Sequence, residues 1–330
     1  MAEQFILGED LGMGANKLWG PAGGVATESY VAVDTRRAVS NELLGFRNVK
    51  PPLRVRTGGT AFYVGLGAHD WGRPVENLDY DRLNGVPETR ALVYASLTRY
   101  IEQHGVPENP VHMIVGLPLE TLTGDEAQAN ADAARRWLRG NHSWEANDEA
   151  YQMTIADARI TSQPSGALFD YFLNDLGQFI PERKADFQRE TGIISVGFNT
   201  VEMMVLRDKA PVQGMTGGQT SGVRRLLELM NRDGHYSLGE LDTQLRSGTL
   251  DVKAALPVWA REVTGVIEKT WSTRWRRFAR IIIVGGGAML LKETLMAHFN
   301  GRVYVPDVPV MATARGLYKM GQMQATRSRR

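Results

Sequence analysis

The chain of 330 residues contains no cysteine. Disulfide bonds, thiol catalysis and thiolate metal sites are therefore excluded, and the absence suits a reducing compartment. The sequence also lacks an apolar run long enough to span a bilayer. Its first eleven residues carry Glu3, Glu9 and Asp10 around a short apolar run, which is not the pattern of a signal peptide. We therefore expect a cytoplasmic protein without a membrane partner.

An excess of charge of one sign is missing as well. The chain holds 38 Lys and Arg against 37 Asp and Glu, which leaves a formal net charge of +1. Nonspecific binding to nucleic acid needs a large positive surplus, so we do not expect direct nucleic-acid binding. The six histidines show no metal-ligand spacing, and a histidine metal site is not predicted either.

The patterns that are present indicate an α/β protein of two lobes. A hydrophobic share of 43% in a chain of this length is enough for two separate cores. Helical periodicity alternates with short apolar runs that suit buried strands. These runs are residues 5–7, 112–115, 193–196, 201–206, 281–284 and 303–305. Residues 32–87 look like a smaller β-containing insertion. Residues 123–157 are predicted to form exposed helix, which Trp137 and Trp144 would pack against the rest of the protein.

A first glycine-containing turn follows the earliest apolar run, in residues 9–17. Gly12 and Gly14 permit a tight turn whose backbone N–H groups can point at phosphate oxygens. Lys17 would add a positive charge near the terminal phosphates, and Asp10 would hold a hydrated Mg²⁺. Taken alone, the pattern is equally that of a plain hairpin turn with a surface lysine.

A second turn joins two apolar runs in residues 193–202. Its backbone near Gly197 and the hydroxyl of Thr200 would form a second phosphate clamp. An ordinary β-hairpin is the alternative interpretation of the same residues.

A third turn lies in residues 281–288, where an apolar run ends in Gly285, Gly286 and Gly287 and a helical pattern follows. A flat base or a ribose could approach the backbone closely there, at the carboxyl end of a strand. No Gly-Lys-Ser/Thr sequence follows, so this is not a Walker loop. The alternative is a glycine turn that merely brings a helix close to a strand.

Taken in this order, the three turns resemble the two phosphate loops and the adenosine loop of the actin, heat-shock-protein-70 and sugar-kinase superfamily. Four further segments look most like the ParM-like plasmid-segregation actins and their archaeal relatives. These segments are residues 62–65, 115–118, 163–167 and 312–318. The resemblance implies an actin-like two-lobed fold, in which each lobe is a mixed sheet with crossing helices around an interlobe nucleotide cleft.

The resemblance also implies how the chain is divided. Lobe I would span residues 1–188, with a smaller β-containing subdomain at about 32–87. Lobe II would span residues 189–330, with a helical subdomain at about 213–273. The C-terminal helix would return to lobe I.

Site residues follow from the resemblance position by position. Asp10 would act through Mg²⁺ and its waters, and Gln163 would orient the attacking water, unless it is only a surface residue at a helix start. Gly222 would begin a helix that approaches the base and ribose. The loops that would bind the nucleotide comprise Gly12, Met13, Gly14, Ala15, Asn16 and Lys17, then Gly197, Phe198, Asn199 and Thr200, and finally Gly285, Gly286 and Gly287.

One residue departs from the family pattern. The second phosphate loop usually begins with an aspartate, and Ser195 stands there in this chain. Loss of that carboxylate would slow hydrolysis while backbone contacts to phosphate remain. Glu202 would partly replace the missing charge if it faces the site, whereas a solvent-facing strand glutamate is the alternative.

The function that the resemblance implies is a polymerising ATPase with ATP or ADP and Mg²⁺ as ligands. Its filaments would be built from copies of itself and would segregate plasmid DNA or position another cargo, through a DNA-binding adaptor. A weakly hydrolysing nucleotide switch or scaffold is the first alternative. A small-molecule kinase is a remote one, because no sugar-kinase-like aspartate stands in a suitable loop.

Overall fold

The computed structural model describes residues 4–35, 49–75, 80–107 and 110–328. Among these residues, a first sheet of ten strands has the order β3-β2-β1-β8-β10-β9-β5-β6-β4-β7. Its strands are β1 (Phe5–Leu11), β2 (Ala15–Gly20), β3 (Gly23–Glu28), β4 (Val31–Val33), β5 (Leu53–Thr57), β6 (Thr60–Val64), β7 (Arg73–Pro74), β8 (Val111–Leu117), β9 (Gly140–Ala146) and β10 (Glu149–Ser162). The central strands β1, β8 and β10 run parallel, which places their carboxyl ends at one edge of the sheet.

A second sheet of six strands is built from the later part of the chain. Its strands are β11 (Thr191–Val196), β12 (Val201–Arg207), β13 (Ala210–Pro211), β14 (Gly217–Gln219), β15 (Arg280–Val284) and β16 (Val303–Tyr304). Strands β11, β15 and β16 are parallel neighbours. All six residues of β11 are buried, as expected for a strand covered on both faces.

Helices cover the two sheets. They are α1 (Pro87–His104), α2 (Ala127–Leu138), α3 (Gln163–Phe172), α4 (Val223–Met230), α5 (Leu238–Arg246), α6 (Leu256–Trp271), α7 (Gly286–His298) and α8 (Ala312–Ser328). Helix α1 packs its apolar side into the core of the first sheet, and α6 and α7 pack into that of the second. None of the described helices has both the length and the hydrophobicity that a bilayer span requires.

Helices α3 and α8 cross between the two sheets. Helix α3 follows the last strand of the first sheet but packs on strands of the second, whereas α8 follows the second sheet and packs on β1, β2 and β8. A Cβ added to Gly316 of α8 would lie 1.8 Å from the carbonyl oxygen of Gly166 in α3. Asp170 of α3 also accepts hydrogen bonds from Arg315 and Lys319 of α8, at 2.6–2.9 Å. The two lobes are therefore joined by packed, ion-paired helices.

The structure confirms the α/β class, the two-sheet architecture and the six apolar runs as strands. In the predicted insertion at residues 32–87, the described strands β4 to β7 extend the first sheet through the pairing of β5 with β9. Residues 36–48 and 76–79 of that range lie outside the described residues. The division into lobes at residue 188 stays a prediction.

The prediction of exposed helix across residues 123–157 is wrong for its second half. Helix α2 ends at Leu138, and β9 and the start of β10 follow as an antiparallel hairpin. In β9, His142, Trp144 and Ala146 are buried in strand alternation, a period that composition alone did not reveal. Trp137 and Trp144 are both buried, as expected.

Candidate functional site

The three glycine turns meet in one cleft between the lobes. Each follows the carboxyl end of a strand: β1, β11 or β15. Together they border a cavity of about 370 Å³, a size typical of sites for small ligands. Its lining comprises Asp10, Gly12, Met13, Gly14, Ala15, Lys17, Tyr80, Pro118, Gln163, Ser195, Gly197, Phe198, Asn199, Thr200, Val223, Asp242, Leu245, Arg246, Gly285, Gly286, Met289, Leu290, Val310 and Thr313.

The first turn, which we call loop 1 (residues 12–14), joins β1 to β2. The antiparallel register places Asp10 opposite Lys17, and the Lys17 Nζ donates to Asp10 Oδ2 at 2.9 Å. Both side chains line the cavity and are only 8% and 14% exposed. A carboxylate and an ammonium group thus stand together at the cleft, rather than as a surface lysine beside a hairpin.

Asn16 does not line the cavity, although the sequence placed it in the first loop. In β2 its neighbours Ala15 and Lys17 face the cleft, so strand alternation turns Asn16 to the opposite side. The Asn16 amide donates to Glu9 Oε1 and to Ser96 Oγ of α1, both at 3.0 Å, and is fully buried. Asn16 therefore anchors the hairpin to the core of lobe I.

The second turn, loop 2 (residues 197–200), lines the cavity with all four of its residues. It also touches loop 1, because a Cβ on Gly14 would lie 2.5 Å from the Cβ of Phe198. Gly222 does not line the cavity. Its N–H donates to the carbonyl of Asn199, and the next two N–H groups donate to the carbonyls of Gly197 and Phe198. Helix α4 thus begins at loop 2. The carbonyl oxygens of loop 2 accept N–H groups that a helix start leaves unpaired, and these hydrogen bonds fix the shape of the loop.

The third turn, loop 3 (residues 285–287), divides between the cavity and the core. Gly285 has a φ of +93°, a backbone conformation that side chains rarely adopt, and with Gly286 it lines the cavity. Gly287 does not. A Cβ there would meet Val196 at 2.4 Å, so Gly287 allows α7 to pack closely on the second sheet.

Gln163 lies in the cleft and also begins a helix. The hydroxyl of Ser162 accepts the N–H of Ser165 and caps α3, which starts at Gln163. Gln163 and Ser195 come from different lobes and line the same cavity as Asp10. The two interpretations of Gln163 are therefore compatible in this structure.

Glu202 is neither in the cavity lining nor exposed to solvent. It pairs with Ser195 across β11 and β12, and its Oε1 accepts the N–H of Leu119 from lobe I at 2.6 Å. Burial raises the pKa of Glu202 to about 8, with the charges of Asp10 and Glu120 acting in the same direction. Glu202 thus shares a face of the second sheet with Ser195 but lies outside the cavity lining, and its replacement of the missing charge stays a prediction.

Several lining residues carry no signal in the sequence. Asp242, Leu245 and Arg246 come from α5, and Met289 and Leu290 from α7. The apolar members of this set, with Val223, form lobe II helix walls that suit a flat aromatic ring. Only the tertiary fold brings α5 over the cleft, so helical periodicity could not have identified these residues.

The residues present fit a nucleotide with Mg²⁺. Strand-end turns and Lys17 suit phosphate oxygens, and the helix walls suit a base. Within the described parts of the chain, no three His, Asp or Glu side chains are grouped to hold a metal ion. Mg²⁺ usually keeps several waters and binds one or two carboxylates plus substrate phosphates, and Asp10 places one such carboxylate in the cavity lining.

Two family models match complementary parts of the chain. The N-terminal domain of actin-like proteins matches residues 8–166. The C-terminal domain of the archaeal, MreB-like actin homologue matches residues 193–297. The chain belongs to the actin-like proteins. A search of curated proteins gave no match to this actin-like chain.

Solved structures share the fold of this actin-like protein along its full length. The apo ParM protein of pSK41 is 18% identical over 100% of both chains, with a TM-score of 0.73. The archaeal actin homologue Ta0583 in complex with ADP is 19% identical, over 97% of this chain and 99% of its own, with a TM-score of 0.70. A ParM from a 15-stranded filament of Clostridium botulinum is 19% identical, over 97% and 99%, with a TM-score of 0.69.

Proposed function

We propose that this protein is a Mg²⁺-dependent ATPase that polymerises into cytoskeletal filaments. The observation that carries the proposal is the convergence of all three strand-end turns, with Asp10, Lys17 and Gln163, on one interlobe cavity. The ADP complex of the similar archaeal protein supports a nucleotide as the ligand. ATP rather than GTP is proposed from the resemblance alone.

The polar residues of the cleft have distinct roles in this proposal. The backbones of loops 1 and 2 and the Lys17 ammonium would hold the phosphate oxygens. Mg²⁺ held by Asp10 through water would neutralise developing charge on the phosphates. Gln163 would orient the attacking water, and because its neutral amide is a poor proton acceptor, hydrolysis would be slow.

Ser195 would slow the reaction further. It lies in the cleft where the family has an aspartate, and its cross-strand partner Glu202 does not line the cavity. A hydroxyl cannot supply the charge that positions metal and water. We therefore propose that nucleotide binding is retained while turnover is low.

The proposal also includes filament formation and DNA segregation. A ParM of the same fold has been solved in a filament, which supports assembly of copies of this chain. The filament would segregate a plasmid or position another cargo through a DNA-binding adaptor protein. A small adaptor gene next to this one would support segregation, and its absence from related genomes would count against it.

Calorimetry and phosphate release test the enzymatic part directly. The protein should bind ATP only weakly when Mg²⁺ is removed, and it should release phosphate slowly when Mg²⁺ is present. Binding without detectable release would favour the second candidate, a nucleotide switch or scaffold, for which Ser195 is the specific observation. Release that requires added hexose would indicate a kinase instead.

A further inference from the structure

A chain of polar contacts joins the lobes beside loop 1. Tyr30 of lobe I donates its hydroxyl to Asp242 Oδ2 of α5 at 2.6 Å. Arg246, one turn along α5, donates from Nε to the same oxygen at 2.5 Å. The Arg246 Nη2 also lies 3.4 Å from the carbonyl oxygen of Gly14. We call Tyr30, Asp242 and Arg246 the interlobe bridge.

Burial makes the interlobe bridge energetically significant. The Asp242 side chain is 3% exposed, so its charge depends on the two donors for compensation. Burial and the neighbouring Asp242 charge raise the pKa of Tyr30 far above its ordinary value, which keeps the hydroxyl protonated as a donor. Removing that one donor would leave a buried carboxylate short of a partner.

A second contact places the same part of lobe I on α5. The rings of Tyr30 and His69 meet edge to face, with centroids 5.2 Å apart. A Cβ added to Gly239, near the start of α5, would lie 2.6 Å from the His69 ring. Lobe I therefore rests on α5 through close packing as well as through the hydrogen bond to Asp242.

The interlobe bridge is connected to the cavity at one end only. Asp242 and Arg246 line the cavity together with Gly14 and Lys17, whereas Tyr30 is not in its lining. A guanidinium group carries five N–H donors, more than the contacts to Asp242 and Gly14 use. Arg246 thus has donors left for a ligand in the cavity, and it is about one-third exposed there.

We propose that Arg246 contacts the bound nucleotide and that Tyr30 is a positioning residue, which acts through Asp242 to slow nucleotide release. The inference rests on the proposed function, because it requires a nucleotide in the cleft. Arg246 brings a guanidinium group from lobe II to the cavity that Lys17 of lobe I also lines. The hydrogen bond of Tyr30 holds the two lobes together around the ligand, so that the lobes separate less often.

The test compares dissociation of a fluorescent N-methylanthraniloyl ATP, with Mg²⁺, from the wild type and Tyr30→Phe. We expect Tyr30→Phe to release it roughly tenfold faster, the change that about 1.4 kcal/mol produces, with a smaller effect on association. Tyr151→Phe is the matched control, because it removes an exposed hydroxyl bonded to Glu149 within lobe I. It should release nucleotide at the wild-type rate.

Two further variants separate positioning from direct contact. Arg246→Gln should weaken the equilibrium affinity by about tenfold or more, as expected for a lost charge-assisted contact. Combined with Asp242→Ala, Tyr30→Phe should add less than about twofold to the release rate, because Asp242→Ala already removes the acceptor of the Tyr30 hydrogen bond.

The distance between spin labels on the two lobes gives a measurement that needs no nucleotide. The chain has no cysteine, so Thr60→Cys and His235→Cys, at exposed positions on the two lobes, would carry the only two spin labels. Tyr30→Phe should lengthen the distance between them, and nucleotide should restore it. If the wild type binds nucleotide while Tyr30→Phe matches its release rate and label distance, the bridge proposal is overturned. A wild type that binds no nucleotide overturns the proposed function as well.

Discussion

Asp10 and Lys17 pair across the first hairpin while both line the cleft. A bound nucleotide phosphate would replace that pairing on the lysine side, so Lys17→Ala should cost roughly 2–3 kcal/mol of ATP binding, the scale of a charge-assisted contact. Calorimetric titration measures the effect. Lys253→Ala, at an exposed position away from the cleft lining, serves as the control. Equal affinities for both variants would remove Lys17 from the site.

Ser195 is the second residue whose substitution is informative. Ser195→Asp restores the family carboxylate in the cleft and should raise the rate of phosphate release while ATP affinity stays similar, because it adds metal and water positioning rather than ground-state contacts. Ser195→Asn introduces a side chain of nearly the same shape as aspartate but without its charge, and it should not accelerate phosphate release. If turnover stays flat or falls in Ser195→Asp, the site is organised around serine, and Glu202 is the next residue to test.

Glu202 should make the protein less stable as the pH rises from about 4.5 to about 8. Its pKa is raised by burial from 4.5 to about 8. In this interval the unfolded chain has released the proton that the folded chain keeps, so rising pH favours unfolding. Below the interval both states are protonated, and above it both are ionised, so the contribution is then constant.

Glu202→Gln tests this, since it retains an acceptor for the Leu119 N–H and cannot ionise. Urea denaturation between pH 5 and pH 8, roughly the range of the shift, should show a smaller loss of stability in the variant than in the wild type. Glu9, whose pKa burial raises to about 7, is unchanged in both proteins. Parallel stability curves for the two proteins would show that Glu202 titrates normally.

At the scale of secondary structure, the crossing of α3 and α8 leaves no room for a side chain on Gly316. Gly316→Ala should lower the free energy of unfolding by at least about 2 kcal/mol, because the Cβ would overlap the Gly166 carbonyl and push the helices apart. Gly265→Ala is the matched control, since Gly265 of α6 has open space around its Cβ position. It should raise stability by about 0.5–1 kcal/mol. Chemical denaturation that ranks the two variants the other way would contradict the packing described.

Some features at the scale of secondary structure could be predicted from the sequence. The turns at Gly12, Gly197 and Gly285 were recognisable because an apolar strand followed by a glycine turn is a local pattern. Asn16 was misplaced because the turn pattern does not say which face of β2 meets the cleft. Arg246 was missed because its place over loop 1 depends on packing between segments more than 200 residues apart. Local chemistry was therefore predictable, and contacts between lobes were not.

For the whole molecule, the near-neutral net charge conceals an uneven distribution. Residues 1–188 hold 17 Lys and Arg against 25 Asp and Glu, whereas residues 189–330 hold 21 against 12. The formal charges of the two parts are therefore −8 and +9. Unlike surfaces of this kind favour contacts in which different faces of two copies meet, and such contacts extend into filaments when they do not close a ring.

Nucleotide in the cleft would set the angle between the lobes, and so decide whether both halves of an end surface match the neighbouring copy. Assembly should then require ATP and Mg²⁺ and show a critical concentration.

Light scattering with electron microscopy, at about 10–50 µM protein for contacts of micromolar affinity, is the most direct test. We predict filaments with ATP and Mg²⁺, and none with Mg²⁺ chelated. A protein that stays monomeric with ATP, with a nonhydrolysable analogue and with a crowding agent would contradict the filament proposal and favour the nucleotide switch.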